Sequence, residues 1–498
     1  MAISDLEYKA WLSNQSAIRC VLVEATVKVG GSEIVRYMSN RGYVTGGADS
    51  PADTVYEPII SGGVRLTESI SIDASPSISF GDIEIENVTG SRDSWLNDIW
   101  DNRSISVYYG DVKWARSDFR RVLKATCGGI SSSSRTTLNL LLRDDLQKLN
   151  VSISTNAEGS GSIYEGSPEL IVFGECFNIT PRLFTGTPNK YKVCNGVIEG
   201  VLEVRDNGVP VGFTLGRVPP SNVLFDGTFT LAATPVGTIT ADVQGLEGMG
   251  SLYIPTVIGT LNYLKGLAGT DISKAMPIDI TKWDVGYTGR DYSIGLYIEN
   301  SANLLATMQQ VVGSIGAQIA VSRQGEVQVQ QINFPPVGTP VQINKTHIVE
   351  KSLTVDNRIA PISSISIGYA KNWTVQKDLQ TAIQPTAITS YATEWLTRVK
   401  SDGDAMSNYN LAMLPTNKET LLIIRNEAGL EAQRRLDVVK VPRTVYKMTC
   451  FASMLDLALG QAVTITHDRF GMSGGVTGIV VGLEPDWINA RVNVKVMV

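Results

Sequence analysis

Catalysis near neutral pH draws mostly on histidine, cysteine, activated serine or paired carboxylates, so these residues are weighed first. The chain has two histidines, His347 and His467, far apart in sequence. His347 lies in Lys345-Thr346-His347-Ile348, and His467 follows the strand-like run Thr464-Ile465-Thr466; each reads as a loop or rim residue rather than a base. The five cysteines (Cys20, Cys127, Cys176, Cys194, Cys450) are odd in number and widely spread, with no Cys-x-x-Cys pair. That spacing is expected of buried free thiols in a reducing compartment, not of a metal site or a peptidase couple. No His-Glu-x-x-His occurs, and Asp402-Gly403-Asp404 lacks the glutamate that ends a calcium loop. Glycoside cleavage needs two carboxylates held about 5 to 9.5 Å apart. Asp144 with Asp145, and Asp402 with Asp404, sit among polar loop residues and read as solvated turns. Gly159-Ser160-Gly161 lacks the strand and helix that would frame a nucleophile, and no phosphate loop exists; Gly46-Gly47, Gly62-Gly63 and Gly474-Gly475 read as turns. The expectation is a protein with no catalytic residue, no cofactor and no metal, hence not an enzyme.

Composition narrows the field further. Forty-three basic against 49 acidic residues give a formal charge of −6, which argues against a protein built to grip nucleic acid. Charged residues make up 18%, below the roughly 25% of ordinary soluble domains, as in a chain that hides surface in an assembly. Tryptophans such as Trp95, Trp100, Trp114, Trp283, Trp373, Trp395 and Trp487 are scattered, which favours core or interface roles over a sugar platform. The N-terminus reads without a signal peptide, and no run approaches the ~20 apolar residues of a spanning helix.

The elements that would position any site are mainly strands. At 498 residues the chain exceeds what one core supports, and several domains are expected. Residues 1–150 read as an N-terminal β-barrel or sandwich. Val21–Val29 ends in a Gly30-Gly31 hairpin, and Val64–Ile72 alternates. Trp95, Leu96, Ile99 and Trp100 mark one face of a short plug helix, and Ser131–Ser134 reads as a loop. Residues 151–235 read as a small all-β module opened by the linker 156–162, with a hairpin tip at Asp206-Asn207-Gly208. Residues 236–345 read as an α+β connecting domain with a helix over 302–315, capped from Glu299-Asn300-Ser301, and a hairpin at Ser322–Gly325. Residues 346–498 read as a second β-domain. Ile362–Tyr369, Leu457–Gly460, Ala462–Thr466, Gly478–Val481 and Val492–Val496 are its strands, and a helix over 427–440 capped by Asn426 turns Ala428, Ala432, Leu436 and Val439 inward. The predicted class is mainly β with some α+β: two tail-tube-like β-barrel or sandwich domains, a small β-domain and a connecting domain.

Three blocks resemble the baseplate hub proteins of long-tailed, siphovirus-like bacteriophages. The first is Leu455–Gly471 with Gly478–Trp487, and the second is Val172–Pro181 with Val204–Pro210. The third is Val35–Tyr43 with Tyr56-Glu57-Pro58 and Ser79–Glu84. The resemblance implies a structural virion protein, a homotrimeric tail hub joining the tail tube to the tip and lining part of the conduit for DNA ejection. Two related β-domains per chain would let three copies match a sixfold tube. The partners implied are two further copies of the chain, the distal tail or tube protein, the tape-measure protein and central tip or fibre proteins. DNA would pass without specific binding and no membrane would be entered. The location implied is the virion baseplate, assembled in the bacterial host cytoplasm. Alternatives are a hexameric distal tail ring, a tail-associated cell-wall hydrolase and a glycan-binding adhesin. An acidic conduit wall would suit such a role, since a basic one would hold the polyanion.

Overall fold

The computed structural model describes residues 3–498 apart from 73–76, 144–145, 147–148, 154–157, 159–162, 185, 221–222, 248–252, 272–290, 377–378, 380–382 and 384. The chain is mainly β and multidomain. Its largest element is a 15-stranded sheet that draws strands from both ends of the sequence. From the N-terminal part come Arg19–Val29, Ser32–Ser39, Tyr43–Val44, Val55–Pro58, Ile60–Ser69, Ser77–Glu86, Ser104–Asp111, Arg120–Ser134 and Thr137–Arg143. From the C-terminal part come Val341–Asn344, Thr354–Ile359, Arg443–Phe451, Ala462–Thr466, Val476–Asp486 and Arg491–Met497. The two sets meet where Val476–Asp486 runs antiparallel to Ile60–Ser69.

Alternation explains most of these strands. Ile60–Ser69 turns Val64 and Leu66 inward and Arg65 and Thr67 outward, so one face is buried and the other wet. Gly30 and Gly31 take positive φ at a two-residue turn between Val29 and Ser32, the conformation that glycine adopts most cheaply. Gly62-Gly63 is not a turn. It forms a bulge inside Ile60–Ser69, where a Cβ on Gly62 would lie 2.5 Å from a Glu84 oxygen. Ser131–Ser134 is strand rather than loop, its hydroxyls bonding to Ser134, Thr136 and Thr137 across the hairpin. The segment after Gly90 makes one 3₁₀ turn, Asp93–Asn97. Trp95 and Trp100 are buried there, while Leu96 and Ile99 stay about half exposed, because the turn is too short to bring four residues to one face.

A second, nine-stranded sheet runs in the order Arg182–Leu183, Lys190–Lys192, Phe225–Leu231, Ile198–Asp206, Ile239–Leu246, Ile171–Ile179 and Gly295–Ile298, with two short strands off this path, so strands on both sides of residue 235 share it. Asn207 and Gly208 form its hairpin tip with positive φ, as their types require. Ser364–Tyr369 is buried throughout and lies not in the large sheet but at the centre of a three-stranded one, covered by the helix Arg425–Val439. That helix places Ala428, Ala432, Leu436 and Val439 in the core, but its N-cap is Ile424, whose side chain cannot cap. The helix Leu304–Gly313 is capped by Asn303, which accepts from the Ala306 amide at 3.0 Å. Leu457–Gly460 is a turn, not a strand. The N-terminal helix Asp5–Ser13 opens with a capping box between Ser4 and Glu7 and buries Tyr8, Trp11 and Leu12.

Candidate functional site

The residue types that could carry chemistry are held apart or used structurally. All five cysteines are free and buried. Burial pushes the thiols of Cys20, Cys194 and Cys450 up to about 12 and that of Cys127 to about 11, so none is poised as a thiolate. His347 Nδ1 accepts from the Asn344 amide, and partial burial lowers its pKa. His467 Nδ1 accepts from the Arg469 amide inside its own loop. Asp402 is the N-cap of the helix Gly403–Tyr409. The Ala405 amide and the Lys440 ammonium, 3.2 Å away, hold its carboxyl below the usual range. Asp144, Asp145, Gly159-Ser160-Gly161 and Trp283 lie outside the described residues. Among the described residues, no three His, Cys, Asp or Glu side chains are grouped as a metal site would need, and no helix is long and apolar enough to cross a membrane.

What the fold does assemble is a pair of junctions. At the first, Gly482 and Leu483 pair with Ser69 and Glu68, and the Ile70 amide donates to the Val481 carbonyl at 3.0 Å. The predicted hairpin at Ser322–Gly325 reaches across this seam. Arg323 donates through Nε to Glu68 at 2.6 Å and through Nη1 to the Leu455 carbonyl at 2.9 Å. Gln324 donates to the Arg121 carbonyl at 2.6 Å, and the Lys124 amide donates to the Arg323 carbonyl at 2.7 Å. One tip therefore binds Glu68, Arg121 and Lys124 of the N-terminal module and Leu455 of the C-terminal one. Glu68 is 5% exposed, so its partner is obligatory: a buried carboxylate left alone would be strongly destabilising.

At the second junction, the nine-stranded sheet meets the segment around Asn372–Tyr391. Arg205 donates to Asn178 at 2.7 Å and to both oxygens of Asp242 at 2.8 and 2.5 Å. Asn178, held at a positive φ of 53°, donates its amide to Asp242 and accepts from Thr240. Gln376 then donates to Thr240 at 2.9 Å, and the Tyr391 ring lies 4.8 Å from the Arg205 guanidinium. The two halves of the second block, around Asn178 and around Arg205, are thus brought together by a shared carboxylate. Asp242 lies in neither half.

Two further charge clusters escaped the sequence reading. Glu24 accepts from Arg116 at 2.7 Å and from the Tyr56 hydroxyl at 2.5 Å, with Arg116 stacked 3.6 Å from Tyr108. Glu431, fully buried, accepts from Arg434 and Arg435 at 2.6 to 2.8 Å. Those arginines also donate to the carbonyls of Gly313, Ser314 and Ile315, closing the C-terminal end of the helix Leu304–Gly313. Spacing alone gave little warning of either. The Ser4–Glu7 capping box and Trp11, whose indole donates to Asp111 at 3.0 Å, were legible signals that went unread.

No family model matches the chain, and no curated protein does. Solved structures resemble it across nearly its whole length. A tail protein from Neisseria meningitidis MC58 is 10% identical with a TM-score of 0.41, covering 97% of each chain. The 43 kDa tail protein of prophage MuSo2 from Shewanella oneidensis is 10% identical with a TM-score of 0.41, covering 96% of this chain and 98% of that one. Prophage tail protein gp18 from Listeria monocytogenes EGD-e is 9% identical with a TM-score of 0.40, covering 96% and 94%.

Proposed function

We propose that this chain is a structural protein of a phage tail, the homotrimeric baseplate hub that joins the tail tube to the tip and forms part of the conduit for DNA ejection. The observation that carries the reading is the fusion of strands from both ends of the chain into one continuous sheet across Ser69 and Gly482. On this reading a single subunit contributes two tube-like β modules joined through that sheet, so three subunits offer six. The blocks that resemble hub proteins agree with this. One lies along Ser32–Ser39, Val55–Pro58 and Ser77–Glu86, and another along Ala462–Thr466 and Val476–Asp486, on either side of the seam.

The ends of the sheet also favour assembly. Thr354–Ile359 is an edge strand exposed on both faces except at Ile359, and at the opposite end Val44 and Val55 are 61% and 58% exposed. Open edges and apolar strand residues are what a subunit contact would cover. On this reading the chain works without an active site, cofactor or metal. Its partners are two further copies, the distal tail or tube protein, the tape-measure protein and central tip or fibre proteins, and DNA passes unbound. Its place is the virion baseplate after assembly in the host cytoplasm. Native mass spectrometry of the purified chain tests it: a species of three copies is expected, and a monomer or a hexamer overturns it.

A further inference from the structure

The helix Leu304–Gly313, the strand Ala317–Val321 and the helix Arg425–Val439 meet Ser71 and Ile72 of the N-terminal module around a cavity of about 340 Å³. The three-stranded sheet contributes Ile365 from its centre and Thr416 and Lys418 from its edge. Ligand sites favour such places, where separate units converge and leave a concave gap. The walls are branched aliphatics, Ile319, Ile332, Ile359, Ile362, Ile365 and Val438 among them, and no aromatic ring lines the cavity among the described residues. Gly313 and Ala360 are exposed lining residues, and a Cβ added to Gly313 would meet no atom within 4 Å.

The lining selects the occupant. Aliphatic walls with no ring to stack on fit a flexible alkyl chain better than a flat aromatic one, and filling them removes apolar surface from water. The charged residues of the wall are Lys418, Arg434 and Arg435, with no carboxylate among the described residues that line it. Glu431, paired with both arginines, balances one of them and leaves the wall positive. A carboxylate at the end of an alkyl chain meets both features at once, because ammonium and guanidinium donors bond more strongly to a charged oxygen than to a neutral one. We infer that this cavity binds a medium-chain fatty acid, its alkyl chain among the isoleucines and its carboxylate toward Lys418 and Arg435. The inference stands whether the chain is a monomer or a trimer.

Isothermal titration calorimetry of the full chain with decanoate and with decanol, each below its aggregation concentration, tests it. Decanoate should bind at a single site, and decanol about tenfold more weakly, the difference that a charged head makes. Lys418→Met should bring the two affinities closer, an outcome that lost packing alone would not give. Gly313→Leu and Ala360→Trp, both at exposed lining positions, should abolish decanoate binding while the thermal melt stays no lower than that of the wild type. Absence of decanoate binding overturns the inference, as does binding that survives both filling variants. Equal affinity for the acid and the alcohol overturns the role of the carboxylate, and the inference with it.

Discussion

At the seam between the end modules, main-chain groups of Gly482 and Leu483 meet those of Ser69 and Glu68, and one buried ion pair, Arg323 with Glu68, fastens the hairpin tip over them. At the Asn178–Arg205–Asp242 junction the balance is reversed. Among the described residues, main-chain pairing across it is a single bridge between Phe177 and Asn372, and the side chains of Arg205, Asn178, Asp242, Thr240 and Gln376 add the network. A main-chain seam tolerates almost any sequence that alternates correctly, whereas a side-chain junction fails when one member changes. The first suits a joint that must hold two modules at a constant angle. The second suits a joint that must choose one partner surface among several polar ones.

That contrast can be broken most forcefully at Arg205. Its side chain is 6% exposed, and Arg205→Leu would strand Asp242 and Asn178 in the interior. We expect a loss of about 3–5 kcal/mol, as for other buried pairs cut on one side. Urea unfolding followed by tryptophan fluorescence should show it, and a change under 1 kcal/mol would mean the network is not what holds the junction.

The corresponding cut at the seam, Arg323→Met, should cost about 3 kcal/mol, the low end of that range, because it strands Glu68 alone whereas Arg205→Leu strands both Asp242 and Asn178. Its signature is different: small-angle scattering of the variant should show the two end modules spreading apart, with each still folded. Unchanged scattering would show that main-chain pairing alone fixes the angle.

The same difference governs what could be read from the sequence. Individual strands were legible, since Val64–Ser69 carries its alternation locally and Gly478–Val481 is a short apolar run rich in β-branched residues. Their pairing was not, because nothing in Gly482 or Ser69 names a partner more than 400 positions away and the contact is made by groups every residue owns. The second junction was half legible. Asn178 and the Arg205–Gly208 turn stood out, but Asp242, which unites them, looks in sequence like any polar residue in a strand. Of the residues weighed for chemistry, His347 lies in a loop as read, and Asp402, read as a solvated turn, caps a helix, a role set by a backbone amide that the sequence does not display.

A third junction, between the helices Arg425–Val439 and Leu304–Gly313, sharpens the comparison by pH. Burial opposes ionisation of Glu431, but Arg434 and Arg435 outweigh it and its carboxyl is held below the usual 4.5. A depressed carboxyl stabilises the fold above the unfolded-state pKa and loses that contribution as pH falls through the folded one. Wild-type stability should therefore decline below about pH 4.5, and Glu431→Gln should be weaker at pH 7 yet show a shallower decline. Parallel denaturation curves at pH 7 and 4 for the two proteins would contradict the assignment.

The smallest expected effects come from how these two helices begin. Leu304–Gly313 starts at Asn303, whose side chain satisfies the Ala306 amide, so Asn303→Ala should lose about 1 kcal/mol. Arg425–Val439 starts at Ile424, which is 43% exposed, extended at φ −97° and ψ 124°, and makes no side-chain cap. That backbone already suits a capping residue, and the exposed side chain gives up little on removal. Glu427, three positions on, is committed to the Ser293 amide at 2.8 Å, so a reciprocal capping box is closed to this helix. Ile424→Asn should consequently gain about 0.5–1 kcal/mol from one new hydrogen bond to a first-turn amide. Thermal melts of the two variants should move in opposite directions from the wild type. A fall in both would mean that Ile424 contributes by packing, and that this helix is anchored by Glu431 and its arginines rather than by its start.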